Sequence, residues 1–215
     1  MIYLKFTTGY PLRKVKISDQ ILIWLASSFL FSSFTSIILS MIVISKKKIP
    51  ILNRKRLSKN EYVLIPGLDK SDWRFLAWYI PISFVLLRLG NIVIIYLFGE
   101  GQLANQEVID SMFQDTPLWM MFFTLVIAAP LLEELFFRGV LFFRKEHNEV
   151  SWLTLVLTSI LFGLIHMPTN IHSAYSYIGA GALFGYAAKR TKAVEAAILY
   201  HFLENLLAFI ILNIG

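Results

Sequence analysis

Apolar residues in this chain come in long runs, and each run stops at a short polar or basic segment. A helix needs roughly 20 apolar residues to cross the hydrocarbon core of a bilayer. The first run covers about 21–44 and carries Ser27, Ser28, Ser32, Ser33, Ser36 and Ser40. These hydroxyls return hydrogen bonds to their own helix or line a helix contact. The second run covers about 73–98, with Pro81 as a predicted kink. The third runs over 118–143, the fourth over 150–166, closed by Met167-Pro168, the fifth over 173–188 and the sixth over 193–212. The pattern predicts an all-α fold, a polytopic membrane helical bundle of about six transmembrane helices. Residues 1–117 hold two helices and polar loops without a motif. Residues 118–215 hold the candidate chemistry, and the two parts are expected to form one structural domain.

The loops predict an orientation. Segments 45–61, 144–150 and 189–192 are basic, the first with seven Lys or Arg in the fourteen positions 46–59. Short basic loops stay cytoplasmic. The loop 99–117 carries Glu100, Glu107, Asp110 and Asp115 and no Lys or Arg, which places it outside. This alternation puts the N-terminus outside too, against the sense of Lys5, Arg13, Lys14 and Lys16. The first apolar run reads as a retained helix, not a cleaved signal. Residues 62–73, with Pro66-Gly67, read as interfacial. Composition agrees with a membrane protein: 57% of residues are hydrophobic and 16% charged, against about 45–50% and 25% in a soluble domain. The net charge of +6 lies in the loops and points to lipid headgroups, not nucleic acid. The absence of cysteine excludes disulfides, thiolate ligands and a cysteine nucleophile. No feature specifies an oligomeric state.

Inside the third run stands Ala129-Pro130-Leu131-Leu132-Glu133-Glu134-Leu135-Phe136-Phe137-Arg138-Gly139. A charge at the centre of a membrane helix costs about 2.5–3.5 kcal/mol even on the lenient insertion scale. Such residues pair, face a wet cavity or carry function. Glu134 and Arg138 are four apart and share a helix face, so they are expected to pair. Glu133 is turned by roughly 100° and is left for chemistry. The plainer alternative is that all three lock helices together. Pro130, three residues before Glu133, predicts a bent backbone short of hydrogen bonds. Arg88, in the second run, has no acid at helical spacing and needs headgroups or a carboxylate from another helix.

Three more polar side chains lie at membrane depth: His166, and His201 with Asn205 four residues on and on the same face. A membrane histidine is ordinarily a hydrogen-bonded helix contact. Together with Glu133, however, these residues supply a base, a proton partner and two oxyanion donors, an inventory suited to water attack on a carbonyl. At ~1.5 Å per residue, Glu133 and His201 count about 15 and 12 Å from the cytoplasmic ends of their helices and His166 about 24 Å, so the depths agree only in part.

The ordered set Glu133-Glu134-x-x-x-Arg138, Phe162-x-x-x-His166 and His201-x-x-x-Asn205, on successive membrane helices, resembles the CAAX-protease and bacteriocin-processing (CPBP, or Abi) family. Type II CAAX prenyl endopeptidases are its best-known members. The resemblance covers about residues 118–212, and includes the glycine-bearing fifth helix (Gly179, Gly181, Gly185) and the Lys-Arg-Thr turn before the sixth. It implies a multi-pass intramembrane endopeptidase of the cell membrane, its site within the bilayer and open to the cytoplasm. Its substrate would be a membrane-associated or exported peptide or protein, with a role in bacteriocin processing or immunity. Glu133 and His166 would activate water, His201 and Asn205 would stabilise the oxyanion, and Glu134, Arg138 and Phe162 would support them. The resemblance favours a metal-free glutamate mechanism. The alternative is Zn2+ held by Glu133, His166 and His201. The competing functions are a non-catalytic membrane immunity or binding protein and a proton-coupled transporter. The small size and lack of an inverted repeat disfavour the transporter.

Overall fold

The computed structural model describes residues 68–99, 116–142 and 150–214. The expected first helix, the basic loops at 45–61 and 144–149, and nearly all of the acidic loop fall outside these. Among the described residues every regular element is a helix.

Helix α1 spans Lys70–Phe98. It starts three residues earlier than the apolar run because Asp69 caps it. The Asp72 N–H donates to the Asp69 carboxylate at 2.9 Å, and the Asp72 carboxylate accepts from the Asp69 N–H at 3.1 Å. The helix continues through Pro81 and stops at Gly99, whose φ of 85° suits a residue without Cβ. Leu76, Ile80, Ser83 and Leu87 recur at helical spacing and face inward. Trp78, Ile82, Leu86 and Leu89 face outward, as a lipid-exposed surface requires.

The next rod, α2, is not the plain bent α-helix that the sequence predicts. It runs as α-helix over Leu118–Met121, π-helix over Phe122–Ala128, α-helix over Ala129–Glu134 and π-helix over Leu135–Phe142. Helix α3 covers Trp152–Ile165, only 14 residues. At ~1.5 Å per residue it reaches about 21 Å, less than the hydrocarbon thickness, so the fourth run is shorter as a helix than as an apolar stretch. Ser151 caps its start, accepting from the Thr154 N–H at 3.0 Å. Its end is forced by Met167, in the left-handed region at φ 48°, followed by Pro168.

Helix α4 covers Ile171–Thr191 behind an Asn170–Ser173 capping box, and α5 covers Val194–Ile214. Of these elements α1, α2 and α5 are long and apolar enough to cross a membrane.

The glycines set how close the helices come. A Cβ on Gly163 would lie 2.2 Å from Ile178 Cγ1 and 3.0 Å from the Ile178 backbone nitrogen, so α3 and α4 touch nearly backbone to backbone. On the other side of α4, Gly179 receives Leu87 of α1. The Tyr79 hydroxyl donates to the Leu183 carbonyl at 3.0 Å, and Ser83 and Tyr200 share a hydrogen bond of 2.7 Å. Leu76, Phe162, Phe184, Ala187, Ala197 and Tyr200 belong to one core, so α1 packs into the same core as the helices carrying the motifs. Arg88 finds its acid across the bundle in Glu204 of α5, at 2.6 Å. At one end of the bundle the Lys189 ammonium donates to the Val150 carbonyl and the Arg190 guanidinium lies over Phe75, 5.6 Å from the ring centre. The start of α1, the start of α3 and the basic end of α4 therefore share a side.

Candidate active site

The two glutamates occupy the α-helical interval between the π segments of α2. Their surroundings differ sharply. Glu134 has no exposure and neither has Arg138. Arg138 Nη1 donates to Glu134 Oε1 at 2.9 Å, and its Nη2 donates across the bundle to the Gly181 carbonyl of α4 at 2.5 Å. The guanidinium also stands 4.9 Å from the centre of the Phe162 ring. His201 of α5 completes this knot, its Nδ1 lying 3.1 Å from the same Glu134 oxygen.

Glu133 faces elsewhere. Its Oε2 is buried and receives no hydrogen bond from the described residues. The nearest titratable group is His166, with Nε2 at 3.9 Å. That is too long for a hydrogen bond and fits a gap bridged by one water. Both side chains keep some exposure, 19% for Glu133 and 14% for His166, whereas Glu134 and Arg138 have none. His166 is placed by the end of α3. Its Nδ1 stands 2.8 Å from the Phe162 carbonyl one turn back. A carbonyl only accepts, so Nδ1 carries a proton and Nε2 is the nitrogen turned to Glu133.

The same valence argument applies to His201. Its Nδ1–H is committed to the Glu134 carboxylate, so Nε2 can donate only while the ring carries both protons.

Asn205 reaches neither glutamate. Its amide donates to the Leu125 carbonyl at 2.8 Å. The cause lies in α2. The Ala129 N–H bonds five residues back, to Thr124. The next acceptor in that register is Leu125, opposite Pro130, which has no N–H. The side chain of Asn205 fills the place of that missing donor and retains one amide N–H for other use.

Of the residues singled out in the sequence, Glu133 and His166 thus form one group and Glu134, Arg138 and His201 a second. Phe162 lies between them, its ring centre 4.9 Å from that of His166 and 5.7 Å from that of His201. Asn205 stands one turn further along α5. The donor set of the zinc alternative does not come together. His201 lies on Glu134, not Glu133, and among the described residues no three His, Asp or Glu side chains are gathered as a metal ion needs.

Sequence reasoning missed the aromatic side chains of α4. Tyr177 stacks on His166 with ring centres 4.4 Å apart and planes at 17°, and Phe184 stacks on His201 at 4.5 Å and 18°. The only signal was two aromatics seven apart, on the face that also holds Gly181.

Known proteins are similar in sequence to this part of the chain. Residues 115–207 match the family described as type II CAAX prenyl endopeptidase Rce1-like. The membrane-embedded CAAX protease MroQ of Staphylococcus aureus (strain USA300) is 24% identical over 92% of this chain and 74% of its own length. The UPF0177 protein YbdI of Lactococcus lactis subsp. lactis (strain IL1403) is 29% identical over 63% of this chain and 75% of its own. YdiL of Bacillus subtilis (strain 168) is 25% identical over 60% of this chain, and the matched part spans about half of YdiL, 53%. No solved structure matches.

Proposed function

We propose that the chain, whose residues 115–207 match the Rce1-like family and whose helices include three long and apolar enough to cross a membrane, is an intramembrane endopeptidase in which Glu133 and His166 activate water. The observation that carries the proposal is the 3.9 Å gap between Glu133 Oε2 and His166 Nε2, on side chains that both keep some exposure. A water held there donates to both. As it attacks a peptide carbonyl, one of its protons passes to the Glu133–His166 pair, its oxygen forms the new C–O bond, and the carbonyl electrons move onto oxygen. The pair then returns the proton to the amine as the C–N bond breaks. His201 Nε2–H, from the doubly protonated ring, and the second amide N–H of Asn205 are the donors proposed for the oxyanion. Glu134 and Arg138 hold His201 in place.

The substrate proposed is a peptide or protein presented at the membrane, prenylated or exported, consistent with the CAAX protease named among the relatives. Bacteriocin processing or immunity is one setting for such an activity. The basic end shared by α1, α3 and α4 supports a multi-pass arrangement with that end in the cytoplasm.

The test uses purified full-length protein and two internally quenched probes, a prenylated CAAX peptide and its unprenylated counterpart. Glu133→Gln should lower turnover at least ~10²-fold, the usual contribution of a positioned base, with thermal stability unchanged because no hydrogen bond to Glu133 Oε2 from the described residues is lost. Turnover close to the parent's would overturn the assignment and leave the non-catalytic binding protein as the reading.

A further inference from the structure

Helix α4 carries no residue of the three motifs, yet one face of it touches both histidines, Arg138 and Phe162. The face is formed by Tyr177, Gly181 and Phe184, at i, i+4 and i+7. Tyr177 lies flat on His166 and Phe184 flat on His201. Between them the Gly181 carbonyl takes a hydrogen bond from Arg138. Gly181 also sets the spacing, since a Cβ there would stand 3.0 Å from Phe162 Cδ1.

A hydrogen bond at one ring nitrogen leaves an imidazole free to tip about that bond. His166 has its bond to the Phe162 carbonyl, and His201 its bond to Glu134. In both rings the remaining freedom decides where Nε2 points. His166 needs a second restraint most, because it follows the last turn of α3 and its neighbour Met167 has already left the helix. The flat contact with an aromatic plate removes that freedom.

We propose that Tyr177 and Phe184 are positioning residues for the reaction: α4 sets the planes of both histidine rings, Tyr177 aiming His166 Nε2 at the Glu133 gap and Phe184 aiming His201 Nε2 at the oxyanion. This rests on the endopeptidase reading above. The two plates are rigidly spaced on one helix, so they also fix the separation of the two rings, which a water-activating group and an oxyanion donor must keep to fractions of an ångström.

The experiment uses the full-length protein in detergent with isotopically labelled histidine. Tyr177→Leu and Phe184→Leu remove a plate but keep apolar bulk, whereas Tyr177→Phe and Phe184→Tyr keep the plate. Ring-proton shifts of the histidines report the stacking directly, without substrate. With the prenylated CAAX probe, each leucine variant should lower kcat by about 3- to 10-fold, the oriented fraction lost with one aromatic contact. KM should stay within about twofold, because only the reacting geometry changes. The stacked histidine's ring protons should lose their upfield displacement, and the aromatic swaps should restore both readings. Loss of the displacement with kcat unchanged would overturn the proposal, as would a raised KM at unchanged kcat, the sign of a substrate-binding wall. Unaltered ring shifts in the leucine variants would overturn the stacking itself. Parent-like turnover of Glu133→Gln would instead overturn the endopeptidase reading and the catalytic role with it, while the shifts still report whether the plates orient the rings.

Discussion

Replacing Arg138 with alanine removes a guanidinium from the centre of a buried knot. The guanidinium holds Glu134 at 2.9 Å and reaches the Gly181 carbonyl on another helix. Gly181 stays within the α4 hydrogen-bond ladder, so losing that donor costs no more than the ~1 kcal/mol net worth of an ordinary hydrogen bond. The dominant effect is on Glu134, a carboxylate with no exposure left to His201 alone among the described donors. Breaking a buried ion pair from one side costs about 3–5 kcal/mol. For a chain of this size 1 kcal/mol corresponds to roughly 2–4 °C in Tm, so Arg138→Ala should melt about 6–20 °C lower. Intrinsic tryptophan fluorescence of the detergent-purified protein during heating measures this. The double variant Glu134→Gln, Arg138→Met removes both charges and keeps an acceptor for His201 Nδ1–H. It should recover at least half of the lost Tm, since a neutral replacement of a buried pair is close to harmless. A Tm for Arg138→Ala within about 2 °C of the parent would refute the reasoning. It would move the guanidinium from support of the fold to action on substrate.

Two further outcomes follow from the geometry. Asn205→Ala should lower turnover by about 10²–10³, the usual loss for one oxyanion donor. It should also destabilise by about 1–3 kcal/mol through the stranded Leu125 carbonyl. In a Pro130→Ala background, which supplies the missing N–H, the stability loss should shrink by half or more, and strictly additive Tm changes would disprove that account of Asn205. Prolonged chelation should leave turnover unchanged. About one zinc per active chain, whose removal abolishes activity and whose return restores it, would require Glu133, His166 and His201 to be reassigned as ligands.

Much of the site was legible in the chain because it depends on local spacing. Four residues on a helix is a face, so Glu134–Arg138 was readable as a pair and Glu133 as the residue turned away from it. The apolar runs marked the helices, and the glycines of α4 marked a close contact, seen at Gly179–Leu87 and at Gly181–Phe162. Hydrophobic pattern and helical geometry act over a few residues, and a one-dimensional string holds that information. What each side chain meets across the bundle is set by packing between helices distant in sequence. Counting along the axes left His166 about 9 Å deeper than Glu133, yet their polar atoms lie 3.9 Å apart. Arg88 needed Glu204, 116 residues away. His201 binds the glutamate paired with Arg138, not the one left free. Asn205 serves a carbonyl that only the π register and Pro130 strand, and the two aromatic plates belong to a helix without a motif. Each of these contacts spans two helices, so its geometry exists only once the helices have packed.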